Sequence, residues 1–386
     1  MHSVLILCYG PLDRDPRVIR QILALNSAYQ ITAAGYTNPL VDNINFFQLT
    51  PYFRPWLKKI AKLFNLISGN HDRNYWHQTR VQELIKLSSE NYELIIANDL
   101  DALPLAIELA KRTNAKVIFD AHEYYPDSGH TNGLRFWLLN REIIYQCNKY
   151  LYQSDVVTTV SSGLKEAYEQ NFHIKPTIIK NTPKLKNLKP STVGTEIHLV
   201  HHGIAAPIRE IEKMVRMAEL LDSRYFIHFY LVDRSNGKYF NKIKKISNSE
   251  RVIFHDPVPT ANIPDEINKY DIGLFLLPPN NFNYRHALPN KFFEFIQARL
   301  AIAIGPSLEM KHYVDKYSLG VCSDSFSPFD LAHELNILSS NKIRQFKLNV
   351  DKAALELNFE VESGILKTIV SNTFNKTKIN ENSISS

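Results

Sequence analysis

The sequence predicts two doubly wound α/β domains in tandem. Three observations carry that reading. A chain of 386 residues suits two domains better than one. Short runs that are apolar throughout alternate with amphipathic helical stretches. The alternation pauses once, in a polar segment, and then restarts.

The strands of the first half are expected at Val4–Tyr9, Ile31–Ala34, Leu94–Ala97, Val117–Asp120 and Val156–Val160. Helical patterns lie between them, at Pro16–Leu25, Arg80–Ser88, Leu103–Lys111 and Ser162–Gln170. Runs without polar alternation suit parallel strands covered on both faces. From Pro183 to Thr195 the chain reads PKLKNLKPSTVGT, rich in Lys, Pro, Ser and Thr, as an interdomain linker would be. The rhythm resumes with strands expected at Ile197–His201, Phe226–Leu231, Val252–His255, Ile272–Leu277 and Ala301–Ile304. The expected domains are therefore 1–184 and 195–354. A helix near 355–372 is expected to pack back on the first, and a polar tail over 373–386 to be disordered. Two such domains would enclose a cleft, with ligands at the carboxyl ends of the strands.

The bulk chemistry narrows the function. Charged residues make up 22% and hydrophobic ones 44%, ordinary for a globular protein that buries real cores. The net charge of +6 favours anionic partners without choosing one. Cys8, Cys147 and Cys322 are odd in number and far apart, so no disulfide framework or zinc site is expected, and a reducing cytosol fits. The opening MHSVLILCYG lacks a basic leader, and no run reaches the length of a membrane span. The Lys184, Lys186 and Lys189 group lacks interleaved aromatics and reads as solvated, so nucleic acid is not an expected partner.

The most informative stretch is ALPNKFFEFIQARLAIAI, residues 287–304. Pro289 or Asn290 starts a helix well, and Lys291 and Glu294, three apart, share a face. A helix N-terminus at a ligand site attracts phosphate, Lys291 adds a full charge, and Glu294 suits a ribose diol. The same pair also reads as an ordinary surface Lys–Glu contact. The stretch resembles the LPNKFFEY pattern of the family-four retaining glycosyltransferases of the GT-B fold, whose two domains are Rossmann-like. That resemblance implies that Lys291 meets the donor phosphates, near Asn290, and that Glu294 holds the ribose.

The resemblance extends along the chain. LVHHGIAAPIREIEKMV looks like the family's strand, glycine turn and basic residue, which implies a donor-phosphate role for Gly203 and Arg209. Glycine permits close backbone approach, and guanidinium suits bidentate phosphate binding. GPLDRDPRVIRQ resembles the loop after the family's first strand. It implies a donor contact at Gly10 and acceptor-side roles for Asp15 and Arg17, although Asp15 reads equally well as a plain helix cap. VIFDAHEYYPD is similar to the family's D-x-H-E pattern, placing His122 at the donor sugar or acceptor and Glu123 on the acceptor side. IIKNTP, with Asn181, is like the turn before the linker.

The pattern departs at one point. Eight residues before Glu294, where many members carry a second glutamate, stands His286, which reads either as a contact to sugar hydroxyls or phosphate or as a plain neighbour. No DxD dyad stands at a strand end, and adjacent His201 and His202 make a poor chelate, so no metal is expected. Arg209, Lys291 and the helix end are then left to neutralise the leaving diphosphate.

The segment PYFRPWLKKIAKLFNLI has no acidic residue from Asp42 to Asp72. Trp56, Leu57, Ile60, Leu63, Phe64 and Ile67 share one helical face, and Lys58, Lys59 and Lys62 the other. Such a helix suits an anionic membrane surface, or simply packs on the first domain.

The expected protein is a nucleotide-sugar-dependent hexosyltransferase. Its donor is UDP-linked, its acceptor a glycan or lipid-linked sugar, and its place the inner face of the cell membrane, in surface polysaccharide or glycolipid synthesis. A nucleotide-sugar 2-epimerase and a non-catalytic nucleotide-sugar-binding subunit remain as alternatives.

Overall fold

The apolar runs form two wholly parallel sheets, one in each half of the chain. The computed structural model describes every residue except 52–55, 86–89, 128–132, 235, 248 and 385–386. It also leaves aside the side chains of 56–61, 134–135 and 376–384. Two compact units result: Met1–Lys180 with Glu362–Ser386, and Asn181–Val361.

In the first unit the strands are β1 Ser3–Cys8, β2 Gln30–Gly35, β3 Asn45–Gln48, β4 Leu94–Asn98, β5 Lys116–Ala121, β6 Val156–Thr159 and β7 Thr177–Ile178. Their spatial order is β3-β2-β1-β4-β5-β6-β7. The β1 strand lies at the centre, with Val4 opposite Ile31 on one side and Leu94 on the other. Because it is covered on both faces, Val4 through Leu7 are all fully buried. The direction of winding reverses between β1 and β4, and the strand ends there form the switch point where such sheets collect ligands.

The second unit has β8 Ile197–Ala205, β9 Tyr225–Asp233, β10 Val252–His255, β11 Ile272–Phe275, β12 Ala301–Ile304 and β13 Gly320–Cys322, in the order β10-β9-β8-β11-β12-β13. Its switch point falls between β8 and β11. All ten expected strands are present. The three not anticipated (β3, β7 and β13) are each at a sheet edge, where half the backbone is unpaired and no continuous apolar run is needed.

The Asn290–Gln297 helix follows the sequence expectation, and from Lys291 to Gln297 every residue is buried. It lies close on its sheet because β11 carries Gly273. A Cβ there would stand 2.3 Å from the ring of Phe295.

Two expectations are corrected. The segment read as a solvated linker is docked along the second unit. The Lys186 N–H donates to Gln297 Oε1 at 3.0 Å, Arg299 donates to the Lys186 carbonyl at 2.8 Å, and Val193 is buried. Its polar side chains are matched by polar groups of the unit, so low hydrophobicity did not mean solvation. The tail expected to be disordered continues the Phe359–Ile384 helix, since no Gly or Pro after Gly364 stops it. Within the first unit that helix is held by Lys180 Nζ on Glu362 at 2.6 Å and by the Phe374 ring stacked on His2 at 4.4 Å.

Gln297 is the junction of the second unit. Fully buried, it accepts from Lys186 and donates to the Ala354 and Leu357 carbonyls, each at 3.0 Å. Leucine of similar size would leave those buried backbone groups unmatched, at a cost of about 1–3 kcal/mol each at most. The Gln297→Leu variant is expected to melt several degrees below the wild type; an unchanged melting temperature in differential scanning calorimetry would refute that role.

Candidate active site

The site of the second unit is built where β8 and β11 diverge. The Asn290–Gln297 helix starts after Pro289, and no side chain caps it. Its first N–H groups are thus left for another acceptor, and the helix dipole favours an anion there. Lys291, buried in the first turn, runs to Gly203 near the end of β8. Gly203 has φ of +125°, a backbone conformation open to glycine. A Cβ on Gly203 would lie 3.2 Å from Lys291 Nζ and 3.5 Å from Arg209 Nη1. The two cations named from the sequence therefore converge on one strip of bare backbone, within one unit. Arg209 sits in the Pro207–Arg209 turn and donates to the Ile204 carbonyl at 3.4 Å.

What surrounds Lys291 is unusual for an amine. Its Nζ lies 3.2 Å from His201 Nε2 and 4.3 Å from the centre of the Phe275 ring. Burial pushes its pKa well below the usual lysine range and the Arg209 charge adds to that, with Glu294 opposing. His201, donating Nδ1–H to the Leu274 carbonyl at 2.9 Å, is held neutral by burial and by Lys291. His202 is held neutral by the same burial and cations; its Nε2 lies 3.4 Å from a Glu294 carboxylate oxygen. Sequence reasoning set both histidines aside as a poor metal chelate. They contact the two motif residues instead, a role visible only once strand and helix are side by side.

His286, standing where a glutamate was expected, closes the short Phe282–Arg285 helix and packs on the Phe282 ring at 4.6 Å. A carboxylate is present from elsewhere: Glu309 Oε1, buried in the first turn of the Leu308–Tyr317 helix, lies 3.5 Å from His286 Nδ1. Glu309 was missed because a Glu in the first turn of a helix is commonplace.

The switch point of the first unit has the opposite character. Asp120, fully buried at the end of β5, would be raised by burial, but Arg17 and His122 overcome this and hold it far below the carboxylate range. Arg17 grips it in bidentate fashion, Nε to Oδ2 at 2.6 Å and Nη2 to Oδ1 at 2.5 Å, and donates Nη1 to the Ile179 carbonyl at 2.8 Å. The acceptor-side role expected for Arg17 is therefore corrected: the guanidinium is turned inward and braces the sheet. Asp15 caps the Pro16–Leu25 helix, accepting from the Arg17 and Val18 N–H groups at 3.0 and 3.2 Å. Of its two readings, the helix cap is the one this geometry displays. At Gly10 a Cβ would meet Cys8 Sγ at 3.4 Å. The packing of the unit does not demand glycine.

His122 lies between Asp120 Oδ2 at 3.1 Å and Asp99 Oδ1 at 3.3 Å. Burial opposes its charge, but Asp99 and Asp120 outweigh burial and raise its pKa. The two carboxylates thus favour its protonated, donating form. Asp99 follows β4 with φ of +69° and accepts from the Tyr125 hydroxyl at 2.7 Å. Asp99, Asp101 and exposed Glu123 line a cavity of about 310 Å³ with Tyr9, Tyr125 and Gln146 among its walls.

Comparison with known proteins places this geometry. Residues 19–182 match the model of Glycosyltransferase Family 4. The fold matches that of Anabaena HepE, solved in complex with UDP and glucose, at a TM-score of 0.72 and 13% identity, over 96% of this chain and 100% of that one. The chain has the two-domain Rossmann-like GT-B fold. The fold is also similar to that of sucrose-phosphate synthase of Thermosynechococcus elongatus, at TM-score 0.72 and 13% identity, covering 97% and 100% of the two chains. An E. coli structure described as trehalose-6-phosphate bound with UDP-2-fluoro glucose matches at TM-score 0.68 and 11% identity, over 96% and 98%. No similar sequence was found among curated proteins.

The Gly203 geometry is directly testable. In Gly203→Ala the new methyl meets both cationic head groups and adds left-handed strain of about 1–2 kcal/mol. Donor affinity is expected to fall about tenfold with the melting temperature little changed; calorimetric titration that finds wild-type affinity would refute the close approach.

Proposed function

We propose that this chain is a family-four-like glycosyltransferase that uses a UDP-linked sugar, with the donor diphosphate held at the Asn290–Gln297 helix N-terminus over Gly203. The convergence of Lys291 and Arg209 on that glycine carries the reading. As the bond to the sugar breaks, negative charge grows on the leaving diphosphate. Preorganised cations and backbone N–H groups in a site of low dielectric stabilise it most at that moment. Protein groups thus supply the neutralisation that other transferases draw from a metal. Glu294 would take the ribose hydroxyls, and His286 with Glu309 the sugar.

The acceptor side falls to the first unit. The acid-lined cavity beside β1, β4 and β5 repels phosphate and suits the hydroxyls of a glycan or lipid-linked sugar, with Tyr9 and Tyr125 offering aromatic faces. Attack from the leaving-group side, with the diphosphate itself taking the proton, would retain the anomeric configuration. His122, whose protonated form Asp99 and Asp120 favour, suits a hydroxyl or oxyanion contact. Lys291→Ala and Arg209→Ala should each lower kcat/KM by about 10²–10³, the scale of one preorganised charge donor. Mass spectrometry of products from a panel of nucleotide sugars and acceptors measures this, and near-normal transfer by both variants would defeat the assignment. Conversion of a nucleotide sugar without any acceptor would instead favour the epimerase reading.

Membrane association belongs to the same proposal. The Trp56–Ile67 helix leaves Leu63, Phe64 and Ile67 exposed, Phe64 at 70%. The neighbouring Leu134–Tyr150 helix exposes Trp137 and Ile144. Lys62, expected on the outer polar face, instead turns to Glu142 at 3.3 Å. The side chains of Trp56, Lys58 and Lys59 lie outside the described residues. Among the described residues no helix is long and apolar enough to cross a membrane. These exposed apolar groups beside basic ones support peripheral contact with an anionic surface at the cytoplasmic face, as surface polysaccharide or glycolipid synthesis would require. Phe64→Glu should reduce co-sedimentation with anionic liposomes several-fold; equal sedimentation, or none by the wild type at low salt, would exclude the surface.

A further inference from the structure

Lys291 is a buried amine without a countercharge. Among the described residues no carboxylate oxygen lies within 4 Å of Nζ. Its neighbours are a neutral imidazole nitrogen at 3.2 Å, an aromatic ring and, across Gly203, a guanidinium. The charged and titratable groups facing it are His201 and His202 from β8, Arg209 from the Pro207–Arg209 turn, and Glu294 from its own helix. Glu294 is directed to His202 at 3.4 Å rather than to the amine.

This arrangement fixes the direction of hydrogen bonding. His201 Nδ1 donates to the Leu274 carbonyl, so Nε2 carries the lone pair and accepts from Nζ. Phe275 stacks on the His201 ring at 5.8 Å between centres and Phe229 packs against it at 6.0 Å, which keeps the ring from turning away. The imidazole therefore aims the amine at Gly203 without neutralising it. The Glu294 charge and the Phe275 ring favour an ammonium ion, but burial and Arg209 oppose one and outweigh them. A diphosphate laid over Gly203 would reverse that balance by bringing two negative charges to the same point.

We propose that the Lys291–His201 pair takes up a proton from solvent when a nucleoside diphosphate binds, with His201 acting as the positioning residue that holds the amine toward the phosphates. The proton adds to Nζ, converting amine to ammonium, and no other bond is made or broken. Donor binding is then linked to pH. Where the free site is neutral and the occupied site charged, affinity falls as pH rises, toward tenfold per unit for one proton. The inference rests on the donor reading given above and adds to it a protonation state and a residue, His201.

Titration calorimetry of the full chain with UDP, in HEPES and in Tris at pH 7.5–8.5, measures proton uptake as the difference in apparent enthalpy between buffers. In this range the terminal phosphate of UDP, whose pKa is about 6, is already ionised. The wild type is expected to take up close to one proton and to lose affinity with rising pH. Lys291→Arg, whose side chain stays charged, should bind UDP with no uptake and with a flat pH profile. His201→Phe keeps the ring packing but removes the accepting nitrogen, and should weaken UDP binding about tenfold at unchanged melting temperature. Wild-type binding without uptake, or equal uptake by Lys291→Arg, overturns the proton linkage while leaving the donor site standing. Unchanged affinity of His201→Phe overturns its positioning role. Failure of the wild type to bind UDP or any other nucleoside diphosphate removes the donor reading itself, and the linkage with it.

Discussion

The second unit is organised around positive charge placed where water is scarce. Lys291 and Arg209 converge on Gly203, and several neighbouring choices follow from that one constraint. Gly203 must lack a side chain because two cationic heads occupy the space beside it. His201 is kept neutral, chiefly by burial, and the Leu274 carbonyl sets its tautomer. Gly273 must also be bare so that Phe295 can press on β11 and bring the helix end down to β8. A buried amine beside a guanidinium is costly to protonate in the empty protein, and the pair is most readily understood as preparation for an anion.

The first unit resolves its buried charge differently. Asp120 is paired on both sides, by Arg17 and by His122, and it also accepts from the Thr158 hydroxyl at 2.6 Å and the Gln21 amide at 2.5 Å. This network satisfies itself and fastens β5 to the Pro16–Leu25 helix. Only its outer end, Asp99, reaches the cavity at the switch point. The two switch points thus carry opposite local charge on the same kind of sheet, cationic at β8 and acidic at β4. Under the proposed reading, that contrast sorts a diphosphate from a hydroxyl-bearing ring.

Much of this was legible in advance. Ten strands could be seen because a parallel strand covered on both faces must be apolar at every position, as Val4 through Leu7 are. The motif helix was legible because Pro289 starts it and Lys291 and Glu294 are spaced to share a face, and Lys291, Arg209 and Gly203 do meet. Edge strands such as Gly320–Cys322 carry no comparable signal, because half of each is unpaired and only partly covered. The docked segment after Asn181 was misjudged for a related reason. Its Lys and Ser residues are polar, but so are the Gln297, Asp265 and Lys347 side chains they meet, and one sequence segment does not reveal the partner of another.

The roles of single polar residues divide along the same line. The sequence alone determined the α/β architecture, the tandem division and the presence of a cationic helix end, since each rests on local periodicity or on neighbours a few residues apart. Tertiary structure decided that Arg17 braces Asp120 103 positions away in the chain rather than facing a ligand, and that Glu309 stands beside His286. It also decided that His201, set aside when read as one of a histidine pair, holds Lys291 from 90 positions away. Contacts between distant segments depend on how sheets and helices pack, and that packing has no imprint in the local order of residues.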